Sequence, residues 1–254
     1  MQNQEPVLLL GDVTGRSCVG VRMLTRVLEE KGRDVLALPT VLISNTWNLG
    51  RVEQLETTDY LLRTLKTWQE LGLSFGGVYM GYVTGRAQAQ ALAGAADAAR
   101  AQGKWVMVDP ILGDHGRPYQ SITDEQKRGM ALLIEHAGLI TPNLTEACLL
   151  TGTPYERALT DGQAAQAMAK QLSGGVRSVL ITSAKDAAGR DAVAGWDHRL
   201  KQGFAVPFER VPGEHWGTGD RFCGVVLHEL MEGTPLQEAV CQASREVCSA
   251  LKAL

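Results

Sequence analysis

The stretch VLLLGDVTGRSCVG (residues 7–20) indicates the fold class. It starts with an apolar run, Val7–Leu10, which is typical of a strand buried in a parallel sheet. A turn with Gly11, Gly15 and Gly20 follows. A phosphate-binding P-loop would need G-x-x-x-x-G-K-[ST], because its backbone N–H groups and its lysine hold the phosphates. Here the glycine spacing is too short, an arginine replaces the lysine, and the dinucleotide pattern G-x-G-x-x-G is absent, so we do not expect this turn to bind a nucleotide.

Short apolar runs recur along the whole chain, and segments with helical spacing lie between them. This alternation predicts an α/β fold in which a mostly parallel sheet has helices on both faces. Residues 189–206 predict an antiparallel hairpin at the edge of the sheet. No repeat or linker interrupts the pattern, so residues 1–254 are predicted to form one domain. The predicted strands are Val7–Leu10, Val35–Leu38, Gly77–Met80, Trp105–Val108, Leu139–Ile140 and Val179–Ile181, and the predicted helices are 58–71, 85–102, 123–137 and 236–251.

Composition argues against several classes of protein. The net charge of −3 and the pI of about 6.0 give no basic surface for nucleic acid or an anionic membrane. No apolar run approaches the roughly 18 residues of a membrane span, and MQNQEP at the start does not resemble a signal peptide. Five cysteines without metal-binding spacing are expected to be reduced thiols. We therefore expect a cytoplasmic protein without nucleic-acid or membrane partners.

Polar residues follow the predicted strands at their carboxyl ends, where open parallel sheets bind their ligands. Asp12 follows the first strand, and acidic, hydroxyl and amide side chains follow the later ones. Such side chains suit a metal ion and a phosphate ester. The segments that follow the later strands and carry these side chains are MGYVTG, VDPILGD, ITPNLTE and ITSAKD.

The strongest local signal for a catalytic site is the segment HWGTGDRFCGVVLHEL at residues 215–230. Gly217-Thr218-Gly219 is expected to be flexible backbone just before a helix. Successive N–H groups at a helix N-terminus bind anions, with help from the helix dipole. Asp220, in the first turn, could take a proton from an alcohol while those N–H groups hold a phosphoryl group. By spacing alone, an aspartate that merely caps the helix is the more common case.

The segment GTGDRFCGVVL resembles the G-[TA]-G-D signature of the ribokinase-like (PfkB) kinases. Four further segments, in the same order and spacing, resemble the pyridoxal kinase branch of that superfamily, and together the five cover about residues 8–232. The resemblance implies a three-layer sandwich and a kinase that uses ATP and Mg²⁺. The four segments are LPTVLISNTWNLG (38–50), YMGYVTG (79–85), VDPILGDHGRPY (108–119) and ITPNLTEACLLTG (140–152).

The resemblance assigns roles at the phosphate end of the site. Asp220 matches the catalytic base. The three residues before it, Gly217, Thr218 and Gly219, match the anion hole that receives the γ-phosphoryl group. Asp109 and Glu146 match positions that arrange Mg²⁺ around the phosphates, although a strand-end turn and a solvated helix face are the plain alternatives. The matched ATP contacts are Asp109, Asn143, Glu146, Thr182 and Ser183. Asn143 could instead cap the following helix, and Ser183 could be an ordinary strand-end residue.

The resemblance also assigns an acceptor pocket. Tyr82 matches an aromatic residue that lines the pyridine pocket, although a core tyrosine fits equally well. The loop 113–119 resembles a flap that closes over ATP and excludes water. The implied reaction is phosphorylation of the 5′-hydroxymethyl group of a vitamin B6 vitamer by a homodimer. The predicted substrate-binding residues are Asp12, Thr40, Ser44 and Tyr82.

Two pocket positions depart from the pyridoxal kinase pattern. Asp12 stands where those kinases usually have serine, and Thr46 stands where they have histidine. These departures leave open a hydroxymethylpyrimidine kinase, or a sugar or nucleoside kinase of the same superfamily. Hydroxymethylpyrimidine kinases usually have cysteine at the position of Asp220, which argues against that alternative. A catalytically silent ligand-binding homologue is a further alternative, although it would not need the base.

Overall fold

A central sheet organises the computed structural model, which describes residues 5–213 and 215–253. Residues 1–4, 214 and 254 of the predicted domain lie outside the described residues. The strands are β1 (Val7–Thr14), β2 (Val35–Ile43), β3 (Gln54–Glu56), β4 (Gly77–Met80), β5 (Trp105–Val108), β6 (Gly113–Asp114), β7 (Arg117–Pro118), β8 (Leu139–Ile140), β9 (Ser178–Lys185), β10 (Asp191–Asp197) and β11 (Gln202–Pro207).

Within the described residues, the main sheet has the order β11-β10-β9-β8-β5-β4-β1-β2-β3. The strands from β9 to β2 in this order are parallel to one another, whereas β3 is antiparallel at one edge and the β10–β11 hairpin at the other. The strand order reverses beside β1, since β2 lies on one side of it and β4 on the other. The carboxyl ends of β1 and β4 therefore flank the crevice where such sheets bind ligands.

Helices cover both faces of the sheet. Buried residues of β1 alternate between the faces: Leu8 and Leu10 pack with α2–α7, and Val7 and Leu9 pack with α1, α8 and α9. This arrangement is the predicted three-layer α/β sandwich, with its antiparallel edge hairpin. The helices are α1 (Val21–Glu30), α2 (Thr58–Glu70), α3 (Arg86–Ala101), α4 (Asp124–His136), α5 (Leu144–Thr151), α6 (Tyr155–Thr160), α7 (Gly162–Ser173), α8 (Thr218–Met231) and α9 (Leu236–Lys252).

Several strand ends differ from the sequence-based prediction. β1 continues to Thr14, β2 to Ile43 and β9 to Lys185. Asp12, Thr182 and Ser183 therefore lie within strands rather than after them. The apolar runs mark only the part of a strand that is buried on both faces, whereas backbone pairing continues into the polar residues at the crevice. Likewise, the predicted flexible segment before α8 is shorter, because Thr218 and Gly219 already belong to its first turn.

Three helices, α1, α6 and α7, were not predicted from the sequence, and α5 was predicted only as the helix that Asn143 could cap. The ends of α5 and α7 carry recognisable signals. Asn143 and Asp161 accept hydrogen bonds at the N-termini of α5 and α7, and Gly152 and Gly174 end the same helices in the left-handed conformation.

No helix in the described part of the chain is both long and apolar enough to cross a bilayer.

Candidate active site

The N-terminus of α8 opens into the crevice without a capping side chain. Gly217 occupies the N-cap position with φ 76°, a left-handed conformation that suits glycine. The carbonyl of Gly217 accepts a hydrogen bond from the N–H of Arg221. The N–H groups of Thr218, Gly219 and Asp220 have no acceptor within the helix, as in every first helical turn. Together with the helix dipole, they form a site for an anion.

Gly219 has no structural need to be glycine. Its φ is not positive, and a Cβ atom at this position would meet no atom within 4 Å. A glycine inside a helix costs about 1 kcal/mol relative to alanine. The open space beside Gly219 therefore favours the close approach of a ligand to the first turn of α8.

Asp220 is held in place by the glycine turn that follows β1. The backbone N–H of Gly20 donates a hydrogen bond to Asp220 Oδ2 at 2.9 Å, across 200 residues of sequence. This leaves Oδ1 of Asp220 without a hydrogen-bond partner among the described residues. The same glycine touches Asp12, because a Cβ atom on Gly20 would lie 2.8 Å from both carboxylate oxygens of Asp12. Asp12 and Asp220 therefore flank Gly20.

The electrostatic environment makes Asp220 a stronger base than an ordinary aspartate. Its pKa is raised to about 7, mainly by burial and further by the negative charges of Asp12 and Asp109, while the Gly20 hydrogen bond acts in the opposite direction. Burial likewise raises the pKa of Asp12. A carboxyl with a pKa near neutrality is suited to accept a proton from an alcohol.

Asp109 follows β5 directly, as predicted, and reaches the same crevice. Its Oδ2 accepts a hydrogen bond from the Tyr79 hydroxyl at 3.1 Å, and its Oδ1 accepts one from the Thr141 hydroxyl at 2.9 Å. Burial raises the pKa of Asp109, against the effect of these two bonds, and the charge of Asp12 raises it further. Tyr79 and Thr141 therefore fix the orientation of this carboxylate.

Glu146 is buried behind the segment that follows β5. Its Oε1 accepts a hydrogen bond from the N–H of Leu112 at 3.0 Å, and its Oε2 accepts one from the N–H of Asn143 at 2.8 Å. The Asn143 side chain caps α5 in return and donates to the carbonyl of Gly113 at 2.8 Å. Burial and the charge of Asp109 raise the pKa of Glu146 well above its usual range. Asn143 and Glu146 therefore tie α5 to the start of the β6–β7 ribbon, which is the predicted flap.

The donor set suits a magnesium ion that is held mainly by phosphate oxygens. Asp109 and Glu146 offer hard oxygen ligands, and their mutual repulsion would be relieved by a divalent cation. Among the described residues, no three His, Cys, Asp or Glu side chains come together as a complete metal site. Mg²⁺ commonly takes one or two protein carboxylates and completes its shell with waters and substrate phosphates. Asp109 is the better-placed direct ligand, because both Glu146 oxygens already accept backbone hydrogen bonds.

Thr182 and Ser183 lie on β9, beside the loop that begins α5. Thr182 donates its N–H to the carbonyl of Pro142, and it is half-buried. Ser183 is exposed and has φ 59°, which is uncommon for a residue with a side chain. Both hydroxyls remain predicted ATP contacts.

Of three predicted substrate residues, Thr40 lies on β2, Ser44 follows β2 directly, and Tyr82 lies in the loop after β4. Thr40 is fully buried, and its hydroxyl donates to the carbonyl of Tyr82 at 2.6 Å. Tyr82 is 8% exposed, packs against Val41 and Ile43, and accepts a hydrogen bond from Gln126. Ser44 is exposed, and its hydroxyl contacts Asn45 and Glu53. Thr40 thus supports Tyr82 from behind, and their contact with a substrate stays a prediction.

Sequence patterns did not assign a role to Gly20, Tyr79 or Thr141. Gly20 is the third glycine of the first turn, and only the fold brings it to Asp220. Tyr79 is a residue with a polar tip inside an otherwise apolar strand, and Thr141 is a hydroxyl residue directly after one. A buried polar atom needs a partner, so these two positions carried a usable signal.

Known proteins resemble this chain in sequence and in fold. The sequence model of the phosphomethylpyrimidine kinase family matches residues 37–254. A pyridoxine/pyridoxal/pyridoxamine kinase of Bordetella bronchiseptica is 31% identical over 253 residues, which cover 92% of this chain and 84% of the relative.

Two solved structures have a closely similar fold. A Bacteroides thetaiotaomicron protein described as a phosphomethylpyrimidine kinase, crystallised with pyridoxal, has a TM-score of 0.88 and 28% identity, covering 98% of this chain and 88% of that one. Pyridoxal kinase from Lactobacillus plantarum has a TM-score of 0.83 and 28% identity, with coverage of 98% and 88%. The chain therefore belongs to the phosphomethylpyrimidine kinase family, and it is a pyridoxal kinase-like phosphotransferase.

Proposed function

We propose that this protein phosphorylates the 5′-hydroxymethyl group of a vitamin B6 vitamer with ATP, with Asp220 as the general base. The main support is the geometry of Asp220: it lies in the uncapped first turn of α8, its Oδ2 is fixed by Gly20, and its pKa is raised to about 7. The relative from Bordetella bronchiseptica and the pyridoxal in the Bacteroides thetaiotaomicron structure favour a B6 vitamer as the alcohol. We also propose a single kinase domain and a cytoplasmic homodimer, from the family resemblance.

In this mechanism, the substrate hydroxyl donates its proton to Oδ1 of Asp220 as its oxygen attacks the γ-phosphorus of ATP. The bond between that phosphorus and the β,γ-bridging oxygen breaks, and ADP leaves with the bond electrons. The N–H groups of Thr218, Gly219 and Asp220 donate to the phosphoryl oxygens, on which negative charge is spread in the transition state. Bound Mg²⁺, held directly by Asp109 and through water by Glu146, would neutralise charge on the phosphates. Thr182 and Ser183 are proposed to contact the ATP.

The substrate panel that tests this proposal contains pyridoxal, pyridoxine, pyridoxamine, hydroxymethylpyrimidine, ribose and a nucleoside. ADP release in a coupled assay and phosphorylated product by mass spectrometry are the readouts. We expect turnover with B6 vitamers above all others. The second candidate function is phosphorylation of hydroxymethylpyrimidine, which the matched family model favours. A preference for hydroxymethylpyrimidine would support it. A preference for a sugar or nucleoside would contradict both candidate functions.

The rate should depend on pH through Asp220. Because the base must be unprotonated, kcat should fall about tenfold per pH unit below an apparent pKa of about 7, and it should level off above that value. Burial is the main cause of this raised pKa, the charges of Asp12 and Asp109 raise it further, and the hydrogen bond from the N–H of Gly20 opposes both. Steady-state rates between about pH 5.5 and 9 measure it. A rate that is flat across this range would contradict the assignment.

Loss of the Asp109 carboxylate should weaken the use of Mg²⁺. For Asp109→Asn, we expect the Mg²⁺ concentration at half-maximal rate to rise at least tenfold, because a direct ligand loses its charge. The amide can still accept the hydrogen bond from Tyr79 or Thr141, so the fold should persist. A Mg²⁺ titration of kcat/KM measures the effect, with Asp34→Asn, at an exposed position before β2, as the matched control. An unchanged Mg²⁺ dependence would show that Asp109 is not a ligand.

A further inference from the structure

Asp12 lies on β1, beside an irregularity in the pairing of β1 with β2. Gly11 pairs with Pro39 and Asp12 with Val41, so the extra, unpaired residue is Thr40 of β2. Such bulges are frequent beside active sites. The side chain is half-buried, and Thr14 donates its hydroxyl to Asp12 Oδ2 at 3.2 Å.

No cation in the described part of the chain pairs with Asp12. The ion pairs of residues 5–213 and 215–253 do not include it, and its hydrogen-bond donors are neutral: the hydroxyl of Thr14 and the backbone N–H of Asp12 itself. A buried carboxylate without a cation or several donors is costly. The neighbouring Asp220 adds repulsion, since each carboxylate disfavours the charge of the other. Nothing in the phosphoryl transfer itself requires a second negative charge at this position.

Asp12 is also within reach of a small substrate bound at Asp220. Gly20 lies between the two carboxylates: its N–H donates to Asp220, and a Cβ atom added to it would lie 2.8 Å from both carboxylate oxygens of Asp12. From these contacts and ordinary bond lengths, the two carboxylates are at most about 8 Å apart. An aromatic ring with a hydroxymethyl group at Asp220 can therefore place a neighbouring ring substituent at Asp12.

We propose that Asp12 selects substrates that carry a positively charged or N–H-donating substituent next to the phosphorylated hydroxymethyl group, so that pyridoxamine is preferred to pyridoxal. This inference rests on the proposed function. The ammonium group of pyridoxamine would supply the missing cation, whereas the aldehyde of pyridoxal has only an acceptor oxygen and would face a carboxylate. Selection here combines an attraction to the amine with a repulsion of the aldehyde.

The test compares kcat/KM for pyridoxamine and pyridoxal in the unmodified protein, Asp12→Asn, Asp12→Ser and the control Asp34→Asn. All rates are measured at about pH 8.5, where Asp220 is ionised in every variant and the amine keeps most of its charge. We expect the unmodified protein to prefer pyridoxamine at least tenfold. Asp12→Asn and Asp12→Ser should lower this ratio at least tenfold, mainly through a higher KM for pyridoxamine, and Asp12→Ser should improve pyridoxal use.

The outcomes separate the inference from the proposed function. Turnover of the vitamers with a ratio that Asp12→Asn does not change would overturn the inference alone. A uniform fall in kcat for all vitamers would also overturn it, because Asp12 would then act on Asp220 and not on the substrate. If no vitamer is turned over, the proposed function fails and the inference fails with it. Melting temperatures at the same pH show that the variants are folded.

Discussion

Asp220→Asn is expected to lower kcat by about 10³-fold, which is within the range for loss of a general base. The KM values for the alcohol and for ATP should change less than about threefold, since the asparagine has nearly the same shape and its carbonyl oxygen can still accept the hydrogen bond from Gly20. An effect on kcat without an effect on KM is the mark of an interaction made only in the transition state. Steady-state kinetics above pH 8 with the preferred vitamer measure both constants.

Stability provides the control for this variant. The pKa of Asp220 is raised in the folded protein, so its ionised form is less favourable there than in the unfolded chain. The cost of this charge appears as the pH rises above the unfolded value of about 3.9 and is complete above the folded value. Removing the charge should therefore leave the melting temperature at pH 8 equal or higher. A loss of activity together with a lower melting temperature would point to misfolding, and near-normal turnover would show that Asp220 is not the base.

Local sequence patterns were sufficient for much of the fold. The doubly buried strands appear as uninterrupted apolar runs such as Val7–Leu10, because a parallel strand covered on both faces excludes polar side chains. The hairpin at residues 189–206 and the helix that begins after Thr123 were also predicted correctly. At Thr123 the structure has both hydrogen bonds of a capping box with Gln126.

The contacts between distant segments could not be predicted in the same way. Asp220 and Gly20 meet only because α1 and α8 pack on the same face of the sheet. The bulge at Thr40, opposite Asp12, has no local signature, since it arises from the pairing of β1 with β2. The pKa of Asp220 depends on its burial and on the charges of two distant residues, Asp12 and Asp109. The sequence could therefore suggest which residues do the chemistry, but not how they are oriented or tuned.

Glu146 shows how an observed contact changes a predicted role. The resemblance assigns it to Mg²⁺, and its position in the Asn-x-x-Glu segment agrees with that. In the structure both carboxylate oxygens accept backbone hydrogen bonds, from Leu112 and from Asn143. Its first effect is thus to fix the start of the flap relative to α5, and we expect its influence on the metal to pass through water.

Gly20→Ala is expected to lower kcat/KM at least 100-fold, although Gly20 has no side chain to contact a substrate. The added Cβ would lie 2.8 Å from the carbonyl oxygen of Asp12 and from both of its carboxylate oxygens. Relief of this overlap must move Asp12, or else move the N–H that fixes Asp220. A displacement of about 1 Å at a reacting group can cost about 100-fold in rate.

The matched control for this variant is Gly32→Ala. Gly32 also has a positive φ, of 74° compared with 57° for Gly20, but a Cβ atom there meets nothing within 4 Å. Gly32→Ala should lose about 1–2 kcal/mol from its positive φ. Gly20→Ala should lose about 1–3 kcal/mol, because the Gly20 backbone has φ 57° and ψ −138°, a combination that residues with a Cβ atom rarely adopt. Such losses lower the melting temperature by several degrees in a chain of this size. Only Gly20→Ala should also lose activity, because only its methyl group disturbs the two carboxylates. Equal activity in the two variants would mean that Gly20 is a structural turn and that the orientation of Asp220 does not depend on it.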